Sequence, residues 1–384
     1  MKNYKLTEGS SLYLDLLRSI SAQLVVVGHG ISFCNIFIYL QKPHFPWIQN
    51  IAVLIFFLLS GFLISYSITN RLAREENYSF GLYFIDRFSR IYTAFLPAIL
   101  LVFIVDSICI AIAPEQYEFT EAFNLKTVIG NIFMLQDYPV FKFMSGNVAI
   151  LQDFSFYKAF ESNFSITSFG SARPFWTLAI EWWIYIWFGY FILKIMRYKG
   201  LSAINIFIFL FLSIVPGYNI IAGRGHGLTT FWLFGVLIFL LFQKRQRINV
   251  SNYHKAFIII FLLILACIRI SIVMNGFDPI FAFLIAGCLF ISIDLFSGIE
   301  VSKTATKIIR FSANYSYTLY LIHYSIYILL VKIFSDDIDP YILFSFGFMA
   351  SNLIAAIVGY FTEMKATKLI RNKLRTYYSR LHAF

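Results

Sequence analysis

Long apolar runs dominate this chain, and short clusters of charged residues separate them. A membrane-spanning helix needs about 17–25 mostly apolar residues. Ten stretches have this character, at about 12–34, 48–66, 92–113, 172–195, 201–218, 228–243, 255–273, 279–297, 313–333 and 341–363. Most Lys and Arg residues lie between alternate pairs of these runs or in a basic tail at about 364–384. Because cytoplasmic loops collect such residues, we expect both termini to be cytoplasmic. The pattern predicts an all-α, polytopic membrane protein with about ten transmembrane helices.

One connecting segment differs from the others in length and composition. The stretch at about 114–171 is rich in aromatic residues and carries more acidic than basic side chains. It is too long to be a simple turn, and segments of this length usually have a function of their own. We therefore predict an outer-side loop that folds over the outer mouth of a single transmembrane domain covering 1–384.

Composition narrows the class of protein further. Of the 384 residues, 59% are hydrophobic and 13% are charged, and the mean hydropathy is +0.73. A soluble domain has about 25% charged residues, so a lipid bilayer is the expected partner. A disordered chain, a nucleic-acid-binding domain and a small disulfide-rich secreted protein are excluded. The net charge of +11 follows from the basic cytoplasmic loops. No spacing typical of a metal site is present.

Ionisable residues inside an apolar run cost about 2.5–3.5 kcal/mol each on insertion scales, so each indicates a function or a partner. The first run contains Asp15, Arg18 and His29. Arg18 and His29 are eleven residues apart, which places them on one helix face about 16 Å apart along the axis. Asp15 lies on the same stripe and is positioned to orient Arg18. The alternative is a histidine that packs between helices, with Arg18 reaching the membrane surface.

Two arginines form a second candidate site, before the third run. Arg87 and Arg90 are spaced i, i+3 and share a helix face. Paired guanidinium groups suit the oxygens of a phosphate group. The alternative is ordinary cytoplasmic positive charge. Asp106 and Asp294 are weaker candidates, because each becomes a helix-end residue if the predicted boundaries shift.

Two later runs carry further polar residues at helical spacing. Glu181 lies about two turns inside the fourth run, with Tyr185 one turn further on the same face. Ser316, Tyr320 and His323 share a face of the ninth run by the i, i+4, i+7 rule. For each of these two groups, the alternative to a functional role is a polar stripe that only packs against another helix. The Gly-Arg-Gly-His-Gly sequence at 223–227 predicts a flexible outer loop.

Five segments, in this order, resemble the acyltransferase-3 family of integral membrane acyltransferases. They are Leu14-Asp15-Leu16-Leu17-Arg18 through Gly28-His29, then Phe56-Phe57-Leu58-Leu59-Ser60-Gly61-Phe62, then Arg87-Phe88-Ser89-Arg90, then Trp176-Thr177-Leu178 with Glu181 and Tyr185, then 316–323. The resemblance covers nearly the whole chain.

The resemblance implies transfer of an acyl group, usually acetyl, from cytoplasmic acyl-CoA to a hydroxyl of a cell-surface polysaccharide or its lipid-linked precursor. It implies a multi-pass protein of the cytoplasmic membrane, with acetyl-CoA as cosubstrate and no bound cofactor or metal. The implied catalytic residues are His29 and Glu181, and the implied acyl-CoA-binding residues are Arg18, Arg87 and Arg90. The supporting residues are Asp15, Ser60, Trp176, Tyr185, Ser316, Tyr320 and His323. His29 acts either as a general base or as an acyl relay. The rival hypothesis is a glycan transporter or flippase that performs no acyl chemistry.

Overall fold

A computed structural model of the chain describes residues 5–140, 166–197, 202–244, 250–335 and 337–381. This part of the chain is helical and contains no strand. The thirteen α-helices are α1 Glu8–Cys34, α2 Ile48–Arg74, α3 Phe80–Ile112, α4 Leu125–Ile132, α5 Phe175–Tyr190, α6 Ala203–Leu212, α7 Ile214–Ile221, α8 Leu228–Lys244, α9 Asn252–Val273, α10 Pro279–Leu295, α11 Lys303–Phe334, α12 Pro340–Gly359 and α13 Thr367–Leu381. A π-helical turn, Tyr360–Ala366, joins α12 to α13, and another, Phe191–Met196, follows α5.

The prediction of an all-α polytopic membrane protein is confirmed. Eight helical segments in the described residues are long and apolar enough to cross a membrane, and the bent pair α6–α7 makes a ninth if it is one span. The predicted sixth run forms α8, a shorter apolar helix. The predicted boundaries differ most at the second, third and ninth runs. There α2 continues to Arg74, α3 begins at Phe80 and α11 begins at Lys303, because the polar residues on that side remain helical. Residues 141–165 of the predicted outer loop lie outside the described residues.

Contacts divide the chain into two compact units. The first unit comprises Met1–Tyr78, Gly227–Tyr320 and Asp339–Met364. The second comprises Ser79–His226, Leu321–Ile338 and Lys365–Phe384. Each unit is described separately below.

The closest helix pair of the first unit is α2 with α8. A Cβ atom added at Gly61 would lie 1.9 Å from the carbonyl oxygen of Trp232, and one at Gly235 would lie 2.1 Å from that of Leu58. Both neighbours are backbone atoms of the facing helix, so both positions require glycine. Small residues allow helix backbones to approach in this way inside membranes. Beside this crossing, the indole Nε1 of Trp232 donates a hydrogen bond of 3.0 Å to Ser60 Oγ.

Polar side chains hold α1 in the first unit. Gln23 and Asn352 exchange two amide hydrogen bonds, of 2.6 and 3.1 Å, between α1 and α12. Ser19 hydrogen-bonds Ser312 of α11. By helix geometry, Gln23 and Ser19 lie roughly 100° or more around α1 from Arg18. The stripe of Arg18 also takes part in packing, because Ala22 and Val25 lie within about 40° of Arg18 around the helix and are fully buried.

Buried charges in the first unit have partners on neighbouring elements. Lys255 Nζ lies 2.6 Å from a carboxylate oxygen of Asp294, joining α9 to α10. The backbone N–H and the hydroxyl of Thr318 each donate a 2.8 Å hydrogen bond to Glu363. Asp294 is next to the last residue of α10, as expected for a helix-end residue.

In the second unit, Asp106 organises the segment that follows α3. Its carboxylate is fully buried and accepts hydrogen bonds from the backbone N–H of Ser171, at 2.8 Å, and from the Ser171 hydroxyl, at 2.6 Å. Ser171 Oγ is also hydrogen-bonded to Ser325 of α11. Gly170 has φ +50°, and a Cβ there would lie 2.0 Å from the Asp106 carboxylate. Asp106 is not a helix-end residue, since α3 continues to Ile112 as the predicted end of the third run requires, and its carboxylate has its partners in a distant segment.

We predict that Gly61→Ala destabilises the protein while Gly217→Ala does not. The added methyl group at Gly61 meets the carbonyl oxygen of Trp232, and the crossing has to open; overpacking of this kind costs about 1–3 kcal/mol. Gly217 is also helical and has nothing within 4 Å of an added Cβ. Thermal unfolding in detergent measures the stability of both variants. Equal stability of the two variants would contradict the close crossing.

Candidate functional site

The first candidate stripe lies on one continuous helix of the first unit. All eleven steps from Arg18 to His29 are in α1, so the predicted shared face is confirmed, and the separation along the axis is about 16 Å. Arg18 Nη2 and Asp15 Oδ1 form an ion pair of 3.0 Å with each side chain 25% exposed. The predicted contact between these two residues is therefore present.

The segment beside His29 approaches the start of α2 closely. A Cβ atom at Gly28 would lie 2.9 Å from the backbone nitrogen of Gln49, the second residue of α2. Gly28 and Gly30 are both buried, while His29 between them is partly exposed. Gly28 thus lets α1 and α2 pack closely at this level, and the Gln49 side chain occupies the space beside it.

Other predicted residues of the first unit have packing partners. Ser60 accepts the hydrogen bond from Trp232 described above. Ser316 donates a 2.8 Å hydrogen bond to the carbonyl oxygen of Ala313, and the Tyr320 ring meets the edge of Phe56 with centroids 5.8 Å apart. The predicted polar face of α11 continues into the second unit at His323, which is fully buried.

In the second unit, the paired arginines lie in the first third of α3. The Arg87 guanidinium lies 5.8 Å from the centre of the Tyr83 ring, and Arg90 is on the same helix face. Arg87 Nε is buried and has no hydrogen-bond partner among the described residues. Tyr83 donates a 3.0 Å hydrogen bond to the carbonyl oxygen of Tyr185 and packs on Gly189, which fixes α3 against α5.

The C-terminal helix α13 contributes residues that the sequence interpretation missed. Arg375 Nε lies 3.0 Å from the carboxylate of Asp86, the residue before Arg87, and the Asp86 side chain is only 3% exposed. Thr93 and Thr367 share a 2.6 Å hydrogen bond about two helix turns further along α3. The only signal in the sequence was an acidic residue beside two arginines, which does not identify a partner 289 residues away.

The fourth predicted run contains Glu181 and Tyr185 on α5. The Tyr185 hydroxyl donates a 2.5 Å hydrogen bond to Glu181, so the predicted common face is confirmed. Trp176, one turn before Glu181, is covered by the Arg224 guanidinium at 4.6 Å from the ring centre. Trp176 is thus part of a second cluster, with the glycine-rich loop at 223–227.

These groups give the chain acid–base and anion-binding chemistry. A partly exposed imidazole suits proton transfer or nucleophilic attack, and guanidinium groups suit phosphate oxygens. In the described part of the chain, no group of three His, Cys, Asp or Glu side chains is placed to hold a metal ion.

We predict that the Asp86–Arg375 ion pair stabilises α13 against α3. Removing one partner leaves a charge buried, so Asp86→Asn and Arg375→Gln should each cost about 2 kcal/mol, and the double variant should cost less than the two together. Arg380→Gln, an exposed charge on the same helix, is the matched control. Thermal unfolding of the single and double variants in detergent measures the coupling free energy between the two side chains. Additive losses would show that the two side chains do not interact.

Comparison with known protein families completes this description. A family model described as an acyltransferase domain, of the acyltransferase-3 type, matches residues 11–361. Comparisons with curated proteins and with solved structures give no match. The match covers nine-tenths of the chain and includes every candidate residue above except Thr367 and Arg375. The chain is helical and multi-pass, and it belongs to the acyltransferase-3 family of membrane acyltransferases.

Proposed function

We propose that this protein is an O-acyltransferase of the cytoplasmic membrane. It moves an acyl group, acetyl in the first instance, from cytoplasmic acyl-CoA to a hydroxyl of a cell-surface polysaccharide or its lipid-linked precursor. The observation that carries the proposal is the family match over residues 11–361, together with a histidine and an arginine on one face of α1. The family match favours acyl transfer over a glycan flippase.

The donor binds through its phosphate groups. Arg18, Arg87 and Arg90 are the proposed ligands for the phosphates of CoA, since guanidinium groups bind phosphate oxygens bidentately. Asp15 holds Arg18, and Tyr83 lies under Arg87. The buried Arg87 Nε, which has no hydrogen-bond partner among the described residues, supports a role in binding an anion.

The acyl group then moves along α1 to His29. The pantetheine arm of CoA is extended, and it places the thioester toward the far end of the stripe. In direct transfer, His29 takes the proton of the acceptor hydroxyl, the oxygen attacks the thioester carbonyl, and the carbon–sulfur bond breaks. The CoA thiolate then receives the proton from the imidazolium.

A two-step transfer uses the same residues. The His29 imidazole attacks the thioester carbonyl and forms an acyl-imidazole, while CoA leaves as the thiol. The acceptor hydroxyl then attacks the acyl-imidazole and regenerates the free histidine. Glu181, whose carboxylate is fixed by Tyr185, is the second catalytic residue of the proposal.

The test uses the full chain in lipid nanodiscs with acetyl-CoA labelled in the acetyl group, with and without surface glycan extracted from the host cell. We predict that wild-type protein releases CoA and that His29→Ala lowers the rate by at least ~100-fold, the typical contribution of a general base. Label that stays on the protein and is lost in His29→Ala indicates the relay. CoA release without retained label indicates the general base.

His44→Ala is the matched control, because His44 is an exposed histidine of the same unit. Its rate should equal that of the wild type. Binding of acetyl-CoA to His29→Ala should be unchanged, which separates loss of chemistry from loss of folding. If wild-type protein neither binds nor consumes acetyl-CoA with glycan present, the proposal is wrong and the flippase hypothesis replaces it.

A further inference from the structure

The first part of α11 extends beyond the membrane core. The helix has 32 residues and is about 48 Å long, whereas the hydrocarbon core of a bilayer is about 30 Å thick. Its stretch 311–331 contains no Lys, Arg, Asp or Glu and is long enough to cross this core by itself. The preceding residues, 303–310, therefore lie at the level of the lipid headgroups, on the side predicted to be cytoplasmic.

Three cations follow one face of this headgroup segment. Lys303, Lys307 and Arg310 are spaced i, i+4, i+7, and all three are exposed. Neither lysine forms an ion pair with any residue in the described ranges. Arg310 contacts Glu8 of α1 at 3.1 Å, and both side chains of this pair are about half exposed or more. These three residues, which we call the cationic stripe, carry two more positive charges than the single acid beside them.

Asn314 continues the same face one turn deeper in the membrane. It is exposed and lies about 6 Å beyond Arg310 along the axis. Its side-chain amide makes no hydrogen bond to any residue in the described part of the chain. Hydrocarbon chains offer no hydrogen bonds, so an exposed amide at this depth needs a polar partner from outside the protein. The ester and glycerol groups of a phospholipid lie at this level, directly below its phosphate.

An apolar flank lies beside the cationic stripe. Ile308 and Phe311 are 63% and 47% exposed, and helix geometry places them roughly 100° around α11 from the stripe. Large apolar side chains next to cations at the headgroup level are typical of a helix surface that contacts anionic lipid. The two side chains supply a surface on which an acyl chain packs.

These features together match one class of ligand. We propose that the cationic stripe and Asn314 bind an anionic phospholipid of the cytoplasmic leaflet. The three cations bind its headgroup phosphate, the Asn314 amide hydrogen-bonds its ester or glycerol group, and one acyl chain lies along the apolar flank. A zwitterionic lipid binds less tightly, because its headgroup cation is repelled by the stripe. The site uses none of the residues assigned to acyl transfer, so this inference does not depend on the proposed function.

Two other occupants fit the surface less well. A second copy of the chain, related by a two-fold axis through this face, would place one cationic stripe against another. A water-soluble phosphate compound such as acyl-CoA matches the cations, but it leaves Asn314 and the apolar flank without a partner. A phospholipid satisfies all three groups.

The experiment counts lipids bound to the full chain by native mass spectrometry from detergent. The probes are dioleoylphosphatidylglycerol and dioleoylphosphatidylcholine, which share acyl chains, ester groups and a phosphate but differ in net charge. The variants are Lys303→Gln/Lys307→Gln and Asn314→Leu. The matched control is Lys368→Gln/Lys373→Gln, which removes two exposed cations from α13 instead. Every substituted side chain is exposed, so all variants should fold, and thermal unfolding in detergent checks this.

We expect the wild type to bind its first phosphatidylglycerol at least ~10-fold more tightly than phosphatidylcholine. Lys303→Gln/Lys307→Gln should lower the phosphatidylglycerol affinity roughly 30-fold, which is about fivefold for each cation removed near the membrane surface. Asn314→Leu should lower the affinity for both lipids about fivefold, because both carry the ester groups. The control variant should bind as the wild type does. Equal affinity of the wild type for the two lipids, or equal phosphatidylglycerol affinity of the two double variants, overturns the site.

Acetyl-CoA added to the same titration separates a lipid site from a donor site. We expect acetyl-CoA to leave the bound phosphatidylglycerol in place and to bind equally well to the wild type and to Lys303→Gln/Lys307→Gln. Displacement of the lipid by acetyl-CoA, with acetyl-CoA binding lost in that variant, would assign the stripe to the donor and overturn the lipid site. Absence of acetyl-CoA turnover contradicts the proposed function alone, since lipid binding is measured without it.

Discussion

A carboxylate inside an apolar helix has to find its partner within the protein, and the structure depends on this constraint. Lipid offers no hydrogen bonds, so an unpaired charge there is expensive. Each buried acid therefore fixes one junction between elements. Asp106 fixes the segment around Ser171 to α3, Asp294 joins α10 to α9, Glu363 joins the turn after α12 to α11, and Asp86 holds α13. Apolar packing and the glycines of the α2–α8 crossing supply the other contacts between helices.

The same constraint separates structural polar groups from those available for chemistry. Gln23 and Ser19 lie on the packing flank of α1, and each has a partner in a neighbouring helix. Arg18 and His29 lie on another face of the same helix, which also packs within the protein through Ala22 and Val25. In the second unit, Asp86 and Tyr83 position α3 around Arg87, and Tyr185 holds Glu181.

Local pairs and helical runs were predictable from the sequence, and contacts between distant residues were not. The Asp15–Arg18 and Glu181–Tyr185 contacts follow from i, i+3 and i, i+4 spacing within one helix, where geometry is fixed. Ser60 has its partner Trp232 in another helix 172 residues away, and no periodicity contains that information. Asp106 was only a weak candidate in the sequence, because its partner, Ser171, lies beyond a long segment without a helical pattern. The glycines at 223–227 predicted a loop, but their positive φ values and the placement of Arg224 over Trp176 depend on tertiary packing.

The central claim is that acyl-CoA is used on the cytoplasmic side and that the acyl group reaches a hydroxyl on the outer side. Sealed membrane vesicles of defined orientation test it most directly, with labelled acetyl-CoA added only to the external medium. The account predicts that inside-out vesicles consume acetyl-CoA and accumulate labelled glycan in the lumen, that right-side-out vesicles do so only after permeabilisation, and that His29→Ala vesicles are inactive in both orientations. Equal consumption by intact right-side-out vesicles, or label that stays outside inside-out vesicles, would contradict the account.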